Sequence, residues 1–343
     1  MYVFSSMQKR GGTEGHGKAL STSMRIDRVE FQLTTRCSMR CMFCFQDPAQ
    51  DAPMLGLDQV TQVLDELSST LRTVWLTGGE PLLAGTLVYD AIHEAKRRGL
   101  YVGMSSNGLL LDEHSQRLAK AGLDEVRVSL DSTDARVYEH IRGVKGSYRR
   151  VLGGLARAVE AGLSLSVRCT VTRLNEHDIP QVIEKARECG AERVEVKSVL
   201  PIGKGDSAMM VPPQRLARIF ASATAASSGA MPVQVMCNHL APCRGFSVEN
   251  NVACECADRY LYVYADGSIA PCSYFPADPA YRLDRCCVRD AWSSPLFRSI
   301  REELPRGCKG CDDWDACRNG CPAVLHAHGE RNVYCYDVIG DLR

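Results

Sequence analysis

The sequence predicts an α/β protein: a partial, open (β/α)6 barrel followed by a small cysteine-rich α+β unit. Three observations predict it. Short apolar or β-branched segments alternate with amphipathic ones through the body of the chain, the pattern of right-handed crossovers and a parallel sheet. The glycine and polar clusters of that body fall just after the strands, on the face where barrels carry their sites. The 17 cysteines are unevenly spread: Cys37, Cys41 and Cys44 crowd one loop, Cys169 and Cys189 lie in the middle, and the rest fall between Cys237 and Cys335.

Taken in order, strands are expected at Arg28–Thr34, Thr73–Thr77, Tyr101–Ser105, Glu125–Leu130, Ser164–Thr172 and Arg193–Ser198, each bounded by Gly, Asp or Asn. Helices are expected at Asp58–Leu67, Thr86–Arg98, Asp112–Ala121, Tyr148–Ala161 and Ile179–Cys189. Gly99, Gly122, Gly162 and Gly190 follow four of them as helix-ending residues. Six strand–helix units are two short of a closed TIM-like barrel, so the sheet should stay open. The expected division is a flexible segment 1–25, a barrel 26–235 and a cysteine-rich unit 236–343.

Composition excludes several classes. Lys+Arg and Asp+Glu both number 41, so the chain lacks the basic excess of a nucleic-acid or acidic-membrane binder. No apolar run is long enough to span a bilayer, and the N-terminal residues lack the apolar core of a signal peptide. A cytoplasmic chain is expected, and there an odd number of cysteines reads as metal binding, not as a disulfide framework.

Cys37-x3-Cys41-x2-Cys44 places three thiolates on one loop directly after the first strand, with Phe43 before the last. A structural zinc site prefers four ligands from paired hairpins; a 4Fe–4S cluster on three thiolates leaves one iron open. The next polar cluster is Gly78-Gly79-Glu80-Pro81, after strand two: glycines that admit close approach, a carboxylate that could meet an ammonium, and a stiffening proline. Together these strings resemble the radical S-adenosylmethionine (SAM) superfamily. The resemblance implies that the open iron chelates SAM and that reductive cleavage yields a 5′-deoxyadenosyl radical, with a reductant such as flavodoxin or ferredoxin as partner. It also implies that Ser106 and Asn107 line the cofactor pocket, that Ser129 contacts the ribose or carboxylate, that Arg142 pairs with the methionyl carboxylate, and that Leu200 packs on the adenine. In strand five, Arg168, Thr170 and Thr172 alternate onto one face, read as the barrel interior.

The tail carries Gly267-x4-Cys272 downstream of Cys254 and Cys256, then Cys308-x2-Cys311-x5-Cys317-x3-Cys321 and a final Cys335. The string YLYVYADGSIAPC reads as a hairpin with an Asp-Gly turn, presenting Cys272 opposite the first cysteine. This pattern resembles the SPASM domain, which implies two auxiliary 4Fe–4S clusters. The inner one would use Cys254 and/or Cys256, Cys272 and Cys321, with Cys243 or Cys237 as further candidates or an open position. The outer one would use Cys308, Cys311, Cys317 and Cys335. Two zinc sites are the alternative the spacing also permits. Cys169 and Cys189 read as packing residues, Cys286 and Cys287 have no assignment, and His326 and His328 read as surface residues.

The resemblance further implies oxidation of a peptide, closing an intramolecular C–C, C–O or thioether crosslink in a ribosomally made substrate. Ser273 stands where sulfatase-maturing relatives place an Asp, which counts against that activity. Few residues precede strand one, so any leader recognition is expected from a separate protein or from the catalytic domain. The alternatives are a dehydrogenase of a protein residue or small molecule, and a zinc- or cluster-bearing scaffold without catalysis.

Overall fold

The computed structural model describes residues 24–46, 53–236, 254–302 and 320–329. The body alternates as expected: β1 (Arg28–Gln32), α1 (Leu57–Glu66), β2 (Thr73–Thr77), α2 (Leu87–Arg97), β3 (Tyr101–Ser106), α3 (Leu111–Ala121), β4 (Glu125–Ser129), α4 (Ala135–Arg142), α5 (Ser147–Glu160), β5 (Ser164–Val171), α6 (Ile179–Glu188) and β6 (Arg193–Ser198). All five junctions among these six strands are parallel. The outward residues Val74, Leu76, Val102, Met104, Val126, Val128, Val167 and Val196 are fully buried under the helices. That double-sided burial is what a parallel sheet requires. Cys169 is buried with them, as a packing residue.

The sheet is wider than six strands. A helix α7 (Pro213–Ala225) leads to β7 (Val233–Val235), which adds a seventh parallel strand beside β6. At the other edge β8 (Tyr260–Val263) pairs in parallel with β1, from Arg28↔Tyr260 to Phe31↔Val263. It then turns through Asp266-Gly267 into β9 (Ile269–Ala270), its antiparallel neighbour. The order is β7-β6-β5-β4-β3-β2-β1-β8-β9. Among the described residues the barrel is therefore open, as expected, but it has eight parallel strands, and the expected hairpin extends the barrel sheet itself. Three short helices complete the described tail: α8 (Val288–Trp292), α9 (Pro295–Glu302) and α10 (Pro322–His328). Among the described residues no helix is long and apolar enough to cross a membrane.

The inward face of the sheet is polar, and its lower part is filled. Trp75 lies across Gly103, where a Cβ would stand 1.9 Å from the ring, and its indole N–H donates to Ser105 Oγ at 2.7 Å. The Arg127 guanidinium stacks 3.9 Å over that ring. Behind it Glu195 is shared by Arg127 at 2.7 Å, Arg168 at 2.7 Å and Arg193 at 3.5 Å. Burial opposes ionisation of Glu195, yet the three guanidiniums hold its carboxyl down to about 2. Above this floor a cavity opens at the C-terminal ends of the strands.

Candidate active site

The chain leaves β1 into a loop that three neighbours hold. From the β2 side, Gly79 N–H donates to Thr34 O at 2.8 Å and Glu80 N–H to Arg36 O at 2.7 Å. From the last turn of α4, Arg142 O and Ile141 O accept from the amides of Arg40 and Met42, both at 3.0 Å. Beyond β6, Lys204 N–H donates to Cys44 O at 2.9 Å. The glycine pair has a cause beyond ligand approach: a Cβ on Gly78 would stand 2.6 Å from Thr34 O, and one on Gly79 2.3 Å from Arg36 O. Both glycines are needed for the second strand's turn to lie against the cysteine loop.

The thiols of Cys37, Cys41 and Cys44 all line one cavity of about 400 Å³, together with Phe43, Gly78, Gly79, Ser106, Asn107, Ser129, Arg142 and Leu200. That volume is within the range of small-molecule and cofactor sites. Donors converge on the sulfurs: Met39 N–H lies 3.4 Å from Cys37 Sγ, Asn107 Nδ2 3.8 Å from Cys37 Sγ, and Arg142 Nη1 3.5 Å from Cys41 Sγ. Burial pushes the Cys37 thiol up to about 11 and also raises Cys44. Thiols so placed ionise only when a cation compensates them. Among the described residues, no three His, Cys, Asp or Glu side chains are grouped to hold a single metal ion. Three thiols around one cavity fit an iron–sulfur cluster, with the Arg142 guanidinium beside Cys41 to offset thiolate charge.

Two of the residues expected at the cofactor have partners within the protein. Glu80 does not face the cavity. It is fully buried and accepts hydrogen bonds from Ser106 Oγ at 3.0 Å, Asn107 N at 2.8 Å and Leu82 N at 3.3 Å. Burial raises its carboxyl to about 7, against those donors. In this structure it therefore ties the end of β2 to the end of β3. Arg142 does line the cavity, but it already has a carboxylate: its Nη2 lies 2.5 Å from Asp131 Oδ2, both side chains being buried. Burial alone would lower this guanidinium, and Asp131 and Cys41 hold it above its ordinary value.

A second group of thiols lines the same cavity: Cys254, Cys256, Cys272 and Cys321. Cys256 hydrogen-bonds with both Cys254 and Cys272, which raises it, and the same contact lowers Cys254. Cys321, the residue before α10, is raised by burial. Cys237, Cys243, Cys308, Cys311, Cys317 and Cys335 lie outside the described residues. Cys287 caps α8, its amide donating to Asp290 Oδ2 at 3.0 Å. His328 Nε2 lies 2.7 Å from Pro201 O, and the His326 ring packs on Phe275.

Sequence reasoning missed much of the remaining wall. Arg28, Glu30, Lys197, Glu255, Tyr260 and Tyr274 all line the cavity. A signal for three of them was present: RVEFQ and RVEVKS carry charges at alternate positions, whereas a buried parallel strand is normally apolar on both faces. Arg168 and Thr170 line the cavity, and Thr172 above them is buried against Asn175.

An open parallel barrel whose first strand delivers three thiols into a single cofactor-sized cavity defines a class of barrel enzymes. The chain belongs to the radical SAM superfamily, whose family model matches residues 31–206, just over half of it. It is 26% identical to the AdoMet-dependent heme synthase of Methanosarcina barkeri, over 92% of this chain and 97% of that protein. It is also 26% identical to the PqqA peptide cyclase of Granulibacter bethesdensis, over 84% of this chain and 81% of that one. Streptococcus suis SuiB bound to S-adenosylmethionine shares the fold, with a TM-score of 0.74 at 17% identity over 93% of this chain and 78% of that one. Native anSMEcpe with bound AdoMet does so with a TM-score of 0.66 at 17% identity, over 86% and 89%. Membership implies a 4Fe–4S cluster and SAM as cofactors, and the relatives include peptide-modifying enzymes.

Proposed function

We propose that this protein is a cytoplasmic radical SAM enzyme of the SPASM type that oxidatively crosslinks a ribosomally synthesised peptide. One observation carries the reading: two groups of thiols, Cys37/Cys41/Cys44 and Cys254/Cys256/Cys272/Cys321, line one cavity. The first would hold the SAM-binding cluster. The second would hold an inner auxiliary cluster, and Cys308, Cys311, Cys317 and Cys335 an outer one, in a unit spanning 236–343. Bound there, the SAM-binding cluster and SAM supply a carbon radical able to take hydrogen from an unactivated C–H bond. The chain's own part is to bind and orient the substrate between the two groups and keep water out. Arg142 balances thiolate charge at Cys41, and Asn107 reaches toward Cys37.

A peptide substrate is favoured by the PqqA peptide cyclase relative and by the likeness to SuiB, one of whose structures is bound to precursor peptide SuiA. An electron donor such as flavodoxin or ferredoxin, and a separate leader-binding protein, are the proposed partners. A second reading, a small-molecule substrate, is favoured by the heme synthase relative, which matches over nearly its whole length.

The test is reconstitution without oxygen, iron counting, and addition of dithionite and SAM, followed by co-expression with short peptides encoded nearby. About twelve irons per chain, 5′-deoxyadenosine, and a peptide lighter by about two hydrogens are expected. Zinc in place of iron, or no SAM cleavage, rejects the enzyme; SAM cleavage with no peptide change rejects the peptide in favour of the small molecule.

A further inference from the structure

The charges of the cavity wall are not all directly paired. Arg28 is paired with Glu255 and packs 5.2 Å from the Tyr260 ring. Arg142 is paired with Asp131, and Arg168 with Glu195 through two nitrogens at 2.9 and 2.7 Å. Glu30 accepts the Tyr260 hydroxyl at 2.9 Å. Lys197 is the exception. Its Nζ lies 2.9 Å from the Tyr274 hydroxyl, and it makes no ion pair with any described carboxylate. Asp131 is near enough to be lowered by its charge, but that carboxylate is taken by Arg142.

The position of this ammonium is fixed by its neighbours. Lys197 is on β6, in register with Thr170, which also lines the cavity. Tyr274 follows Cys272 by one intervening residue, and its ring packs 4.7 Å from that of Phe45, the residue after Cys44. The Lys197–Tyr274 pair thus stands where the two thiol-bearing loops meet over the barrel, the place a substrate would occupy. An ammonium has three donors and no acceptor. One faces a phenol, and the others face a half-buried cavity whose other cations all have carboxylate partners. A half-desolvated cation of this kind is complementary to an anion of the bound molecule.

We propose that Lys197, positioned by Tyr274, binds a carboxylate of the substrate, either an acidic side chain or a terminal carboxylate. The proposal rests on the reading of this cavity as the substrate site of a peptide-modifying enzyme.

Two probes separate the sources: N-acetyl-glutamate N′-methylamide carries only a side-chain carboxylate, and N-acetyl-glycyl-glycine only a terminal one. Each is titrated into the reconstituted full-length protein with SAM, and binding is read from broadening of the probe's proton NMR lines. The expected result is that one probe binds the wild-type protein, that its amide counterpart does not, and that Lys197→Met weakens binding about ten-fold or more. Lys197→Arg should retain most of the affinity, and Tyr274→Phe should lose less than Lys197→Met. Iron content and thermal melting of each variant establish that it is folded and loaded. Equal binding by wild type and a loaded Lys197→Met, or binding of neither carboxylate probe, overturns the proposal. SAM cleavage by the wild type is measured in the same samples: its absence rejects the enzyme reading, whereas cleavage with Lys197-independent binding rejects the carboxylate anchor alone.

Discussion

A Cβ placed on Gly79 would stand 2.3 Å from the carbonyl oxygen of Arg36, at the point where the second strand's turn donates to the cysteine loop. That contact is between two backbones, so no side-chain rotation relieves it. Gly79→Ala should push the loop of Cys37, Cys41 and Cys44 away from its support. The expected outcome is loss of about four irons per chain and at least a ten-fold fall in SAM cleavage, read by iron assay and 5′-deoxyadenosine formation. Full iron content in a folded Gly79→Ala protein would show that the loop does not depend on this contact.

The thiol groups are separable. Cys37→Ala, Cys41→Ala or Cys44→Ala should abolish SAM cleavage. Cys272→Ala or Cys321→Ala should lower iron by about four per chain while leaving 5′-deoxyadenosine formation measurable and removing the modified product. Complete loss of cleavage in the second pair, with the first loop still loaded, would mean that the groups act as one.

Glu80 gives a pH signature. Its folded value, raised to about 7 by burial, exceeds that of an exposed glutamate, so the folded state holds this proton more tightly than the unfolded one. Its contribution is complete below the unfolded value and is lost as pH rises through about 7. Between pH 6 and 8 the wild type should lose about 1 kcal/mol relative to Glu80→Gln, which does not titrate there. Denaturant melts of both proteins at several pH values measure the difference, and parallel curves would contradict it.

Arg142 and Asp131 form a buried pair, and removal of one partner leaves the other charge uncompensated. Arg142→Met should destabilise the fold by about 3–5 kcal/mol. Adding Asp131→Asn should recover much of that loss in urea melts without restoring SAM cleavage, because the contact with Cys41 is still missing. If the double variant cleaves SAM as the wild type does, Arg142 serves stability alone.

The body was legible because its signals are local. The apolar and β-branched residues that mark β1 to β6 lie within each strand, and Gly99, Gly122, Gly162 and Gly190 all adopt the positive φ expected of helix-ending glycines. The pairing of β8 with β1 was not legible: YLYV carries the pattern of a strand, but nothing in it names a partner so far upstream. Three-residue β7 is too short for periodicity to show. At the site, the types and spacing of the cysteines and of Gly78-Gly79-Glu80-Pro81 were readable, whereas the direction of the Glu80 carboxylate depends on Ser106 and Asn107 arriving from another strand. Lys197 shares the alternating charges of RVEVKS, a signal that marks the strand's polar face but not which of its charges lacks a partner. Only the carboxylate partners of Arg28, Arg142 and Arg168 make it stand out.

The ladder between β1 and β8 joins residues made far apart in time. Tyr260 meets Glu30 across 230 residues, so at about 5–20 residues per second the strand that launches the Cys37 loop waits some tens of seconds for its outer neighbour. Until then β1 is an open sheet edge, prone to pair with other chains. Assembly of the two thiol groups around one cavity therefore waits until residues well past Tyr260 have been made, and a chain stopped before Tyr260 should carry the first cysteine loop on an unprotected edge.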